Sequence, residues 1–441
     1  MTSRSASLEI EARTIKDSRG DATVEVEVEI AGRTLSASVP AGKTKGGDEA
    51  VTVPAAKAVE TIHDVILPIV RQLDVDLATH AGLIELERTL VERAGVRCES
   101  FGANALLPVS IALWRCAAAV HGLQLYEYIR AQEPELASTG RVRLFSNVLN
   151  GGYHALQTGE QLGVDRFDLQ EMQIVPQSAP SYREALAMAE RVDTALAELL
   201  ATRFGADRMR RADEAGLSVK GLADNGEALD LLVEAISLAG FTPGVDIKIT
   251  IDPASSHLYD AATERYRIGA QRLSPGQYGE YLLALLDRHA ARFPNLFESV
   301  EDPLQENDWS GLEALSSEIK KRGVIVVGDD FYVTQRDRLE KGIAAGSANG
   351  LLVKPNQNGS LYGTLEVMKL ARRHGIALVI SHRSGETLDS TIADLAIAVG
   401  AHGIKTGAPQ PERVFPGRHT WFRRTKYLRM IAIDESEREG G

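Results

Sequence analysis

Six apolar runs in the second half of the chain each end on a charged or polar residue. They are Ile-Lys-Ile-Thr-Ile-Asp252, Phe-Glu-Ser-Val-Glu301, Val-Ile-Val-Val-Gly-Asp329, Gly-Leu-Leu-Val-Lys354, Leu-Val-Ile-Ser381-His382-Arg383 and His-Gly-Ile-Lys405. Short β-rich runs alternating with helical stretches predict parallel strands of an α/β protein. In a closed barrel of that kind the strand C-termini converge on one mouth, where active sites sit. The six endings would then bring three carboxylates, two lysines and an arginine to one place. Like charges are not crowded together for stability. A divalent cation on the carboxylates and an anionic substrate on the cations would balance them.

The rest of the composition narrows the class of partner. The chain has 441 residues, enough for one large domain and a smaller one, and a net charge of −12. That charge argues against nucleic acid or an anionic membrane as the main partner. Two cysteines, Cys98 and Cys116, imply no disulfide framework and point to the cytoplasm. No apolar run approaches the roughly 20 residues that span a bilayer. The N-terminal residues lack the apolar core of a signal peptide.

Polar and apolar residues alternate over Leu8–Thr14, Thr23–Ile30 and Arg33–Val39, with turns at 17–20 and 31–32, which predicts an antiparallel meander. Helical periodicity covers 51–74, 78–94, 103–121 and 124–132. Residues 1–135 therefore read as a small α+β domain, and 134–142 as a linker. From 143 to 433 strands and helices alternate. Arg143–Leu149 and Asp165–Val175 read as strands before the long helix Ser181–Arg203. Helices near 226–239, 274–292, 309–322, 335–345, 361–374 and 387–400 separate the six runs. Eight strands of this kind predict a (β/α)8-type barrel. Its start is irregular, because two strands precede the first long helix. The acidic tail 434–441 reads as disordered.

Asp252, Glu301 and Asp329 are oxygen ligands with no nearby cysteine or paired histidine, which suits Mg²⁺ or Mn²⁺ better than zinc. A lysine closing an apolar run, as Lys354 and Lys405 do, is costly unless it faces a pocket. Beside a metal and a second lysine its pKa falls, which makes a general base. Ser381-His382-Arg383-Ser384-Gly385-Glu386-Thr387 precedes a predicted helix, so a hydroxyl, a guanidinium and helix N-terminal amides would make a phosphate site. His154 follows Asn150-Gly151-Gly152-Tyr153 in a loop after the first barrel strand. Glu171 ends a strand run, and Glu214 lies in Ala212-Asp213-Glu214-Ala215-Gly216. Paired carboxylates donate a proton to a leaving hydroxyl when burial or coupling raises one pKa.

In this order the residues resemble the enolase family. The resemblance runs from Asp17-Ser18-Arg19-Gly20 through Phe101-Gly102-Ala103-Asn104-Ala105 to Ile404-Lys405-Thr406-Gly407, with Gly328-Asp329-Asp330 and Ser381–Thr387 as its most specific motifs. It implies an irregular eight-stranded enolase barrel behind a smaller N-terminal α+β domain. It implies an assembly of identical subunits, a dimer or octamer. Two Mg²⁺ per site are implied, with Mn²⁺ as a substitute. Asp252, Glu301 and Asp329 would hold the first Mg²⁺, which neutralises the substrate carboxylate. Lys354 would remove the proton next to that carboxylate, and Lys405 would stabilise the enediolate. Glu214, assisted by Glu171, would protonate the leaving hydroxyl. Arg383 and Ser384, next to His382, would hold the phosphate, with His154 over it.

The chain departs from the family in its mobile loop, 41–47. The usual Ser-Gly-Ala-Ser-Thr-Gly is replaced by Ala41-Gly42-Lys43-Thr44-Lys45-Gly46. Thr44 still offers a hydroxyl to a second Mg²⁺, while Lys43 and Lys45 add two charges toward the phosphate end. The usual C-terminal helix motif is replaced by Phe415-Pro416-Gly417-Arg418-His419-Thr420-Trp421. The favoured expectation is an enolase-type dehydratase for a phosphonate analogue of 2-phosphoglycerate, like the carboxyphosphonoenolpyruvate synthases of natural product biosynthesis. A housekeeping enolase acting on 2-phosphoglycerate and a non-catalytic binding protein on the same scaffold are the alternatives.

Overall fold

The alternating N-terminal segment forms the expected antiparallel meander, β1 (Glu9–Lys16), β2 (Ala22–Ile30) and β3 (Arg33–Ser38), in the order β1-β2-β3. Val24, Val26 and Val28 of β2 are buried while Glu29 between them and Ile30 is exposed, as period-2 patterning requires. In this computed structural model residues 4–30, 32–42, 46–138, 140–156, 160, 165–409 and 418–439 are described. Lys43, Thr44 and Lys45 lie outside the described residues, as do 415–417.

The helices of the first half are α1 (Ala55–Thr61), α2 (Leu67–Leu73), α3 (His80–Ala94), α4 (Ala103–Val120) and α5 (Leu125–Gln132). A π-helical turn, Ile62–Ile66, splits the single helix predicted over 51–74. Thr79 starts α3 by accepting the amide of Gly82. By length and composition α4 could cross a membrane, which the sequence reading overlooked; 78% of it is buried inside the protein, so it is a core helix.

The strands of the second half are β4 (Arg143–Asn150), β5 (Glu171–Pro176), β6 (Met209–Arg211), β7 (Leu217–Val219), β8 (Ile247–Asp252), β9 (Tyr259–Asp260), β10 (Arg265–Ile268), β11 (Gln271–Leu273), β12 (Phe297–Glu301), β13 (Ile325–Gly328), β14 (Gly350–Val353), β15 (Ala377–Ser381) and β16 (Gly403–Lys405). Between and after them run α6 (Tyr182–Phe204), α7 (Asn225–Leu238), α8 (Pro275–Ala290), α9 (Trp309–Lys320), α10 (Arg336–Ala345), α11 (Pro355–Asn358), α12 (Leu361–Arg373), α13 (Thr391–Ala398) and α14 (Arg418–Glu439). The sheet order is β16-β15-β14-β13-β12-β8-β5-β4, and β16 pairs with β4 to close an eight-stranded barrel. A hairpin, β6–β7, extends the sheet beside β4. The chain divides into two compact units: 1–142 with 332–339 and 352–402, and 143–331 with 340–351 and 403–441.

Four expectations need correction. The barrel is not all parallel, because β5 runs antiparallel to both β4 and β8. Residues 165–170 do not join β5: the amides of Asp168 and Leu169 are taken by the side chain of Asn225 instead of a neighbouring strand. Glu171 therefore opens its strand rather than ending it. The helix predicted over 387–400 starts at Thr391, where Asp389 accepts the Thr391 amide at 2.7 Å. The tail predicted as disordered is helical to Glu439. Asp434 and Arg438 pair one turn apart, and Arg183 of α6 binds Glu435 at 2.7 Å.

Candidate active site

Strand ends supply the first group of residues, all within the second unit. Asp252 is the last residue of β8, Glu301 of β12 and Lys405 of β16, while Asp329 directly follows β13. Antiparallel β5 brings its first residue to the same end, where Glu171 pairs in register with Asp252. The ammonium of Lys405 lies 3.2 Å from Glu171, 3.2 Å from Asp252 and 3.0 Å from Glu301. The side chains of all four are at most 7% exposed. Burial alone would lower the Lys405 pKa, but Glu171, Glu301, Asp252 and Glu214 outweigh it and hold it well above normal. Burial raises the carboxyl of Asp252, with Glu171 and Asp329 adding to the effect. Burial and Asp252 push Glu301 further still. One lysine thus faces more negative charge than it balances. The buried oxygen donors and their surplus charge fit a hard divalent cation.

Gly151 and Gly152 build the second part. A side chain at Gly151 would strike the Phe167 carbonyl at 2.5 Å, and Gly152 has φ +47. Their amides bond to the carbonyls of Gln170 and Phe167, which lays the loop along the approach to Glu171. His154 Nδ1 comes to 3.1 Å from Glu171 Oε1. Glu214, at φ +57 in the turn between β6 and β7, completes a buried trio whose ligand atoms lie within 4.8 Å of one another. Burial would lower the His154 pKa, yet the bond to Glu171 and the charges of Glu214, Glu171 and Asp213 raise it. Burial and Glu214 push Glu171 up, but Lys405 and His154 overcome both and keep it below the usual range.

The other predicted residues belong to the first unit. Lys354, half-buried, follows β14 and opens α11; its amide donates to Thr334 Oγ1 at 2.9 Å. His382, Arg383 and Ser384 are buried just beyond β15. Arg383 donates to Glu49 through both terminal nitrogens, at 2.9 and 3.1 Å, and to Asn356 Oδ1 at 3.1 Å. The expected helix amides are not available at Ser384. Those of Arg383 and Thr387 instead donate to the Glu386 carboxylate, at 3.0 and 3.1 Å. Gly385 forms a two-bond bridge with Ala41, which ties the start of the 41–47 segment down.

Two acids escaped the sequence reading. Glu49 fixes Arg383, and Asp302 holds the backbone after β13 with bonds of 2.9 and 2.8 Å to the amides of Asp329 and Asp330. The doubled acids, Glu301-Asp302 and Asp329-Asp330, were the available signal for the second.

Comparison with known proteins agrees with this architecture. Residues 8–129 match the family described as Enolase, N-terminal domain, and 142–434 match Enolase, C-terminal TIM barrel domain. A protein named Enolase from Methanopyrus kandleri is 37% identical over 438 residues, covering 97% of this chain and 95% of its own. Another named Enolase, from Thermococcus gammatolerans, is 36% identical over 440 residues, covering 97% and 94%. With barrel, strand-end acids and both domain matches in agreement, the chain belongs to the enolase family and is an enolase-type lyase.

Proposed function

We propose that this lyase removes water from a 2-phosphoglycerate-like acid, with the roles divided among the residues above. The observation that carries the reading is the strand-end cluster in which Lys405 meets Glu171, Asp252 and Glu301. Magnesium held by Asp252, Glu301 and Asp329 would neutralise the substrate carboxylate. Lys354 takes the proton beside that carboxylate. Lys405, held cationic by its acids, stabilises the enediolate that results. Glu214, assisted by Glu171, which Lys405 and His154 hold below the usual carboxylate range, protonates the leaving hydroxyl, as the family resemblance implies. Arg383, Ser384 and His382 take the phosphate end, and His154 would serve the same group, as the family resemblance implies.

Lys43 and Lys45 favour a second reading, in which the substrate carries an additional acidic group, as a carboxyphosphonate analogue does. Thr44 would then serve a second Mg²⁺. The names of the relatives favour 2-phosphoglycerate itself. The test compares kcat/KM on both compounds, for wild type and for Lys43→Ala with Lys45→Ser. A charge-assisted contact contributes about 1.5–3 kcal/mol. The phosphonate reading therefore expects the double variant to shift preference about 10- to 100-fold toward 2-phosphoglycerate. Equal losses, or wild-type kcat/KM on 2-phosphoglycerate of about 10⁵ M⁻¹s⁻¹ or more, leave the ordinary enolase reaction. A wild type that binds Mg²⁺ and turns over neither compound would point to the binding-scaffold alternative. The buried, free Cys98 and Cys116 suit a reducing cytoplasm, and the family resemblance supports an assembly of identical subunits.

A further inference from the structure

We infer that Asp302, a residue that need not touch the metal, is the positioning residue of the metal site proposed above, on which this inference rests. Asp302 follows Glu301 directly and has φ +39, a conformation unusual for a residue with a side chain. Its amide donates to the Val327 carbonyl at 2.9 Å, so it stands across from the end of β13. From there each oxygen of its carboxylate accepts one of two consecutive amides, Asp329 at 2.9 Å and Asp330 at 2.8 Å. Two bonds to adjacent peptides set the backbone on both sides of Asp329, and with it the direction of the Asp329 side chain. The Asp302 carbonyl also accepts the amide of Ser255, in the loop that follows Asp252. Asp252 turns that same loop by accepting the amide of Ala254 at 2.9 Å. All three acids of the proposed site thus connect to Asp302: Glu301 by sequence, Asp329 through the side chain, and the Asp252 loop through the main chain.

Stability alone does not explain an aspartate here. The residue is 3% exposed, and no cation among the described residues forms an ion pair with it. It lies within the same acid group as Asp329 and Asp330, with ligand atoms within 4.8 Å of one another. A buried carboxylate beside two others costs free energy unless something positive is brought there. Asparagine has nearly the same shape but only one acceptor oxygen. Its amide group would face one of the two N–H groups.

Full-length protein stripped with EDTA supplies the test, with Mn²⁺ as the probe and its binding followed by electron paramagnetic resonance. Partners that orient metal ligands typically change affinity about 10- to 100-fold. Asp302→Asn should raise the Mn²⁺ dissociation constant by that factor, while the metal-free melting temperature stays within a few degrees of wild type. A structural residue would behave in the opposite way, lowering the melting temperature with affinity intact. Mn²⁺ affinity within twofold of wild type overturns the inference and leaves the metal reading standing. Absence of Mn²⁺ binding by wild type overturns both. Hydrogen exchange on metal-free wild type needs no variant: slow exchange at the amides of Asp329 and Asp330 is expected, and fast exchange at both overturns the clamp.

Discussion

Replacing Lys405 by methionine keeps the unbranched four-atom stem of the side chain and removes its ammonium. Glu171, Asp252 and Glu301, now 3.0–3.2 Å from the ammonium, would lose their shared counter-charge inside the protein. Removing one partner from a buried ion pair costs about 3–5 kcal/mol. Protonation of the acids limits that cost, so its size depends on pH. Asp252 and Glu301 already titrate above their usual values, chiefly through burial. A carboxyl raised by folding imposes a penalty that grows as pH rises from its unfolded pKa through its folded one. Lys405 itself is raised, so its charge is complete throughout the range from pH 5 to 8. The deficit of Lys405→Met should therefore be near the upper figure at pH 8 and clearly smaller at pH 5. Urea unfolding in EDTA at both pH values measures it. At pH 8, Mg²⁺ at about 100 times its dissociation constant should return about 2.7 kcal/mol. A variant as stable as wild type at pH 8, or one hurt more at pH 5, would refute the charge argument.

Lys354→Ala should leave the fold intact, because its backbone bonds do not use the side chain, and should cut turnover by about 10²–10⁴-fold or more. Solvent exchange of the substrate proton should vanish with it, and full exchange would hand the base role to another residue. Glu87 is buried against Ser110 Oγ at 2.7 Å, and burial pushes its carboxyl up to about 7. Its destabilising effect is absent below about 4.5 and complete above about 7, so Glu87→Gln should stabilise by up to about 3 kcal/mol at pH 8 and by little at pH 4.5. A gain independent of pH would contradict this. Gly385→Ala would drive a methyl group into the Asp17 carboxylate and to 2.8 Å from the Ala41 carbonyl. A loss of about 1–3 kcal/mol is expected by urea unfolding, and no loss would mean that the bridge to Ala41 can move aside.

Patterns of local origin were legible in the amino-acid sequence. Apolar runs that end on Asp252, Glu301, Lys354 and Lys405 carried their strand ends in plain view, since period and punctuation sit within a few residues. Strand direction is not local. Nothing within 165–176 says that the chain will enter the sheet in reverse; that follows from β4 and β8 lying on either side of β5. Asn225, more than fifty positions away, decides where β5 begins. The helix after Arg383 starts later than the local pattern predicts, at Thr391, because Glu386 folds back onto the amides of Arg383 and Thr387. Asp302 was hidden for a different reason. An acid beside an acid reads as redundancy until the amides that it accepts are seen.

Barrel closure sets a timetable for synthesis. Strand β4 waits for β16, and the hydroxyl of Ser146 on β4 meets that of Tyr427 on α14, 281 positions later, at 2.9 Å. At about 5–20 residues per second, a ribosome needs roughly 15–55 s to supply the second side after the first. Throughout that interval the Arg143–Phe145 stretch of β4 is a template without its partner, in a chain that is rich in long-range pairings and hence slow to fold. Chaperone dependence, and loss of yield when translation is accelerated, should therefore concentrate at this one seam.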